Sequence, residues 1–288
     1  MTLRERLTLY AYLVRLHRPI GILLLLWPTL WGLWIASNGK PDPVILMVFI
    51  LGTVLMRSAG CAMNDYADRD FDDKVKRTQD RPLAAKKITP REALMVAAAL
   101  SIAAFGLVMM FLNTLTLALS VAAFLLAASY PFTKRFFAIP QAYLGIAFGF
   151  GIPMAFAAQT NVVPAVAWGL LLANTFWTIA YDTEYAMVDR DDDIRIGIKT
   201  TALLFGQYDV PAVMLCYATM LTLLAVLGIY QDFGLVYFIS LGMAAYLAYE
   251  HYLMIRGRTR EGCFKAFVHN NWIGAAVFTG IAGDYFLR

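Results

Sequence analysis

The sequence predicts an all-α polytopic membrane protein that crosses the bilayer about nine times. Three observations lead there. Of 288 residues, 60% are hydrophobic and 15% charged, with a mean hydropathy of +0.61; soluble domains carry about 25% charge. The apolar residues fall into nine runs, most of them close to the roughly 20 residues a helix needs to cross the hydrocarbon. The Lys and Arg residues lie almost wholly in alternate loops between those runs.

In chain order, residues 1–18 are amphipathic and basic, with Arg4, Arg6, Arg15 and Arg18 among Leu and Tyr, and predict an interfacial helix. RPIG opens a first span over 20–36 that carries Trp27, Trp31 and Trp34. The turn SNGKPDP leads to a second span, 44–63, which delivers the chain to Asn64. A polar segment rich in Lys and Arg follows at 65–91, then spans at 93–112 and 115–130. The basic loop PFTKRFF precedes a span at 141–158, where Gly145, Gly149, Gly151 and Pro153 permit close packing or a bend. A sixth span, 165–181, ends at a second polar loop, 182–209; the last three spans are 211–229, 235–254 and 267–286. The whole of 1–288 reads as one domain. No cleavable signal peptide is expected, because no small-residue cleavage site follows the first apolar run.

Nine spans place alternate loops on opposite sides of the membrane. All but three of the 24 Lys and Arg then share one side; Lys40 and Arg288 lie on the other, and Arg57 lies within the second span. The positive-inside rule makes the basic side cytoplasmic. The net charge of +4 adds little to this. The three cysteines are scattered, without a CxxC pair, and predict neither a disulfide framework nor a zinc site.

The stretch NDYADRDFD, residues 64–72, carries four carboxylates directly after an apolar run. On a helix Asp65, Asp68 and Asp72 share a face, joined by Asn64, while Asp70 points away. Like charges stacked on one face repel unless a cation sits among them. Hard divalent cations take carboxylate oxygens, and Mg²⁺ commonly uses one or two of them together with substrate phosphates. A second cluster, YDTEYAMVDRDDD, ends another apolar run and sets Asp182, Asp189 and Asp193 at helical spacing. Both clusters fall on the predicted cytoplasmic side, which suggests one shared site; the plainer alternative is two solvated acidic loops.

Arg57 is the most costly residue of the sequence, an ionisable group inside a span. It sits seven residues before Asn64, on the same helical face. It is either a partner of the acidic cluster or an anchor for a carboxylate deeper than a metal. Lys74, Lys76, Arg77, Arg81, Lys134 and Arg135 lie on the same predicted side. Carboxylates that bind metal beside such cations are the parts needed to hold a diphosphate. Tyr130, Trp177, Tyr181 and Tyr185 lie near the acidic ends of spans, where packing or π-face stabilisation of a carbocation would each suit them. His17, His251 and His269 lack metal-ligand spacing.

NDYADRDFD fits NDxxDxxxD, and DRDDD supplies a second DxxxD. With RPIGILLLLWPTLWGLW, KRTQDRPL, YPFTKR and YDTEYAMVDRDDDIRIGIKT, these motifs resemble the UbiA superfamily of intramembrane prenyltransferases over nearly the whole chain. The resemblance implies nine helices around a central cavity with a cytoplasmic cap, in a bacterial inner membrane, with the active site facing the cytoplasm. It implies Mg²⁺-dependent transfer of a polyprenyl chain from its diphosphate to 4-hydroxybenzoate, as in ubiquinone biosynthesis, with a dihydroxynaphthoate acceptor also open. By position, Asn64, Asp65, Asp68 and Asp72 would face one Mg²⁺, and Asp182, Asp189 and Asp193 a second. Asp68, Asp72, Asp189 and Asp193 would carry catalysis. Arg77, Lys134 and Arg135 would hold the diphosphate beside Tyr130, and Arg57 the acceptor carboxylate. Partners beyond these substrates and the lipid bilayer are not implied: no nucleic acid and no obligate protein.

Two other classes compete. CDP-alcohol phosphotransferases gather their aspartates in one helix, whereas these are split across two distant spans. A transporter would place its charges nearer midspan and would not need loops stocked with both Asp and Arg.

Overall fold

Every regular element among the described residues is helical, as the apolar periodicity requires. The computed structural model describes residues 2–70, 72–74, 78–133 and 135–288, apart from the side chains of Lys74 and Ile196.

The chain begins with α1 (Leu3–Leu13), started by a reciprocal capping box between Thr2 and Glu5. Its Leu3, Leu7 and Tyr12 remain exposed, as an interfacial helix should leave them. Next come α2 (Ile20–Ala36) and α3 (Pro43–Ala67). A loop then leads to α4 (Pro90–Phe111) and α5 (Thr114–Thr133). Tyr10 and Arg6 of α1 both bond Glu92 at the start of α4, so α1 is tied to the bundle. Leu83 and Ile88 of the loop pack with Leu13, Ala62, Ala93 and Ala97 in a small core of their own.

The fifth apolar run is not one helix. It breaks into α6 (Pro140–Gly149) and α7 (Gly151–Thr160) at Phe150. Pro153 explains the break: it lacks an N–H, and its ring crowds the carbonyl four residues earlier, that of Gly149. α6 lies so close to α8 (Ala165–Ile196) that a Cβ on Gly145 would come within 2.8 Å of the Thr175 Cα.

The sixth run departs most from expectation. The helix does not stop at Tyr181 but continues for four more turns to Ile196. It ends only at Gly197, whose φ of 72° allows the left-handed cap, with N–H groups of Gly197 and Ile198 returning to the Asp193 carbonyl. The short α9 (Thr201–Phe205) follows, then α10 (Asp209–Tyr230), α11 (Leu235–Ile255) and α12 (Arg260–Leu287), the last starting two turns earlier than the hydropathy indicates. Helices α2, α7, α8, α10, α11 and α12 enclose the main core. There Trp31 stacks on Trp177 at 5.3 Å, and Trp177 meets Tyr181 edge-on at 5.4 Å.

Five helical segments among the described residues are long and apolar enough to cross a membrane: Pro43–Ala67, Pro90–Phe111, Thr114–Thr133, Pro140–Thr160 and Thr201–Tyr230. Ile20–Ala36 is apolar but shorter. α8 is long yet more polar, because its last turns carry aspartates that line the cavity.

Candidate active site

A cavity of about 880 Å³ opens between the helices. Its upper wall is polar. Asn64, Asp65, Asp68 and Asp72 come from the end of α3 and the turn beyond it; Asp182, Asp189 and Asp193 come from α8. Its lower wall is apolar, built from side chains such as Leu24, Val48, Phe49, Phe105, Phe124 and Phe148. Tyr130 of α5 and Tyr181 of α8 line the wall as well.

The first motif is only partly helical. α3 carries Asn64 and Asp65, and Asp68 caps it. Asp72 lies in a separate 3₁₀ turn, so the expected continuous helical face ends at Asp68. The face is nonetheless completed, because the Asp72 N–H bonds the Asp68 carbonyl at 2.9 Å. Thr78 Oγ1 fixes the turn from the other side, donating to the Asp72 carbonyl at 2.7 Å. Asn64 Nδ2 donates to Asp68 Oδ2 at 3.2 Å. Asp70 points away, exposed beside Arg69, as the spacing predicts.

Two arginines organise this cluster: Arg81, expected beside it, and Arg15, which the sequence does not assign to it. Arg81 Nη1 bridges Asp65 Oδ1 at 3.0 Å and Asp72 Oδ2 at 2.9 Å. Arg15, just after α1 at a φ of 57°, donates to the same Asp65 oxygen at 2.7 Å. Asp65 therefore lines the cavity with one oxygen already engaged. Burial, and the charges of Asp65 and Asp68, push the Asp72 carboxyl up despite Arg81.

The second motif divides by face. Asp189 and Asp193 are buried in the cavity wall. Asp191 and Asp192 turn to Arg260 at 3.4 and 3.5 Å. Arg190 turns to Asp209 on α10.

Arg57 lies in the cavity wall on α3. It makes no ion pair with the aspartates among the described residues; its Nη1 donates to Cys61 Sγ, and its Nε is buried without a partner. Gly21 gives the guanidinium its room, since a Cβ there would stand 2.4 Å from Nε and Nη2. Arg135 is not part of the cavity wall: its Nη2 donates at 2.8 Å to the Ala67 carbonyl at the end of α3. Arg77 and Lys134 lie outside the described residues.

The donor set suits a hard cation shared with a ligand. The oxygens are carboxylates and one amide, without sulfur or imidazole. Among the described residues no three His, Cys, Asp or Glu side chains close into a metal cage. Mg²⁺ commonly binds through one or two carboxylates and completes its shell with phosphate oxygens.

Helices, acidic rim and apolar floor together define a membrane protein with an amphiphilic cavity. The UbiA prenyltransferase family model matches residues 25–274, and the chain belongs to that family. It is 62% identical over 286 residues to a 4-hydroxybenzoate octaprenyltransferase of Janthinobacterium sp. (strain Marseille), covering 99% of this chain and 100% of that one. An apo UbiA homologue from Aeropyrum pernix K1 superposes with a TM-score of 0.77 at 25% identity, covering 89% of this chain and 96% of that one. A UbiA homologue from Archaeoglobus fulgidus, bound to GPP and Mg²⁺, shares the fold at a TM-score of 0.70 and 16% identity, covering 95% and 99%.

Proposed function

We propose that the protein transfers a polyprenyl chain, octaprenyl in the named relatives, from its diphosphate to the carbon ortho to the hydroxyl of 4-hydroxybenzoate. The observation that carries this is the placement of Arg57. Seven residues, about 10 Å along a helix, separate it from Asn64. A benzoate ring fits that interval, with its carboxylate on the fork of Arg57 and its ring beneath the two acidic motifs.

The residues then have definite work. Asp68 and Asp72, with Asn64, hold one Mg²⁺; Asp189 and Asp193, with Asp182, hold a second. Held by these residues, Mg²⁺ would supply positive charge to offset that of the leaving diphosphate. Asp65 keeps Arg15 and Arg81 at the rim, and Arg77 and Lys134 add positive charge to the diphosphate shell. Arg135 contributes by securing the end of α3. The apolar floor takes the prenyl tail and excludes water from the allylic cation that forms as the C–O bond breaks. Tyr130 and Tyr181 present π faces to that cation. The ring carbon attacks, a C–C bond forms, and the ring proton leaves. No nucleophilic side chain is needed. The chain crosses a bacterial inner membrane nine times, with α6 and α7 as one broken span and both motifs on the cytoplasmic side, in ubiquinone biosynthesis.

Purified protein in lipid vesicles tests this. With polyprenyl diphosphate, 4-hydroxybenzoate and Mg²⁺, prenylated acid and diphosphate should form in equal amounts. EDTA should stop both, and Mg²⁺ should restore them. Diphosphate release without a prenylated ring, or product formation unaffected by EDTA, would refute it. Dihydroxynaphthoate in place of 4-hydroxybenzoate tests the acceptor.

A further inference from the structure

Arg190 stands inside the second acidic motif, next to Asp189 and three residues before Asp193. Side chains three apart on a helix are neighbours, so an arginine at 190 is within ordinary reach of the Asp193 carboxylate. It does not go there. Its Nη2 donates to the Ala202 carbonyl of α9 at 3.0 Å and to Asp209 Oδ2 at the start of α10. Arg190 is not part of the cavity wall, although residues 189 and 193 are.

Asp209 is fully buried and built for this task. Its carboxylate accepts from the Val210 N–H at 2.6 Å and from Arg258 Nε at 2.9 and 3.2 Å. Arg258 is itself held by the Gln207 carbonyl at 2.7 Å. In the first motif an arginine does meet the aspartates, since Arg81 bridges Asp65 and Asp72.

We propose that Asp209 is a positioning residue that keeps Arg190 turned toward α9 and α10, so that this arginine does not set its charge on the Asp189–Asp193 face where a divalent cation is to bind. The proposal rests on the metal site described above. With Asp209 neutralised, Arg190 loses its ionic partner, and the Asp193 carboxylate three residues on lies within reach of its side chain. An arginine there competes with the cation for the Asp193 oxygens and repels it, which lowers its affinity.

The test is Mn²⁺ binding followed by electron paramagnetic resonance, on purified protein with inorganic pyrophosphate present and no turnover. Asp209→Asn should weaken Mn²⁺ binding on the order of tenfold. Arg190→Gln alone should leave it as in the parent protein. The double variant Arg190→Gln/Asp209→Asn should regain parental binding, because the competitor is gone. A purely structural clamp gives no such rescue. Parental binding by Asp209→Asn, or a double variant as weak as the single one, would overturn the proposal. If Asp209→Asn does not fold, Asp209→Ser keeps an acceptor for the Val210 N–H and carries the same expectations, alone and with Arg190→Gln. Failure of the parent protein to bind Mn²⁺, or undiminished binding by Asp189→Ala, would instead refute the metal site itself.

Discussion

Asp68 and Asp70 are two residues apart, yet one is buried at the cavity rim and the other exposed beside Arg69. Asp68→Ala and Asp189→Ala should each remove nearly all turnover in protein that still folds, whereas Asp70→Ala should be mild. Initial rates on equally loaded vesicles decide, and equal damage from all three would contradict the site geometry. Arg57→Ala and Arg57→Lys should raise the KM for 4-hydroxybenzoate by one to two decades. A lost charge-assisted pair is worth roughly 1.5–3 kcal/mol, and lysine offers only a point charge in place of the fork. The KM for the prenyl diphosphate should move little. Gly21→Ala should act in the same direction, because its new methyl group displaces the guanidinium rather than the backbone. These carboxylates and Arg57 were legible in the sequence, since helical spacing and the cost of a charge within a span need no tertiary knowledge. Arg15 was not. It reaches Asp65 from another element through a left-handed backbone that no local pattern announces. Arg81 was visible as a cation beside the motif, but its bridge from Asp65 to Asp72 depends on how the loop folds back.

At the scale of elements, the apolar runs located the helices, and their ends were harder to place. α8 was cut short at Tyr181 because hydropathy falls where its aspartates begin, although the helix continues on ion pairs and an acidic cavity face. Gly197 was the missed stop signal. Conversely, the glycines and Pro153 of the fifth run do mark a bend and a close approach, and the structure supplies both. Gly145→Val should therefore overpack the α6–α8 contact against backbone that cannot yield. Overpacking commonly costs about 1–3 kcal/mol. A lowered midpoint of thermal inactivation, with metal dependence unchanged, is the expected result.

For the whole molecule, orientation rests on charge parity. A reporter active only in the cytoplasm should work when fused after Lys87 or Arg258 and fail after Gly39 or Gln231; the reverse pattern would place the active face outside. The cavity also depends on how long α8 is. Its 32 residues make a rod about 48 Å long at roughly 1.5 Å per residue, against about 30 Å of hydrocarbon. The second aspartate motif thus lies on the last turns of a helix longer than the hydrocarbon is thick, held to α10 and α12 by the Arg190–Asp209 and Arg260–Asp191 pairs. A tilt of about 5° would swing the last 15 Å or so of that rod by about 1 Å, and a misplacement of that size can cost a hundredfold in rate. Hydrophobic mismatch is met by helix tilt. Turnover in vesicles of graded acyl-chain length should therefore peak at one bilayer thickness and fall on either side, making this enzyme a gauge of the membrane that houses it.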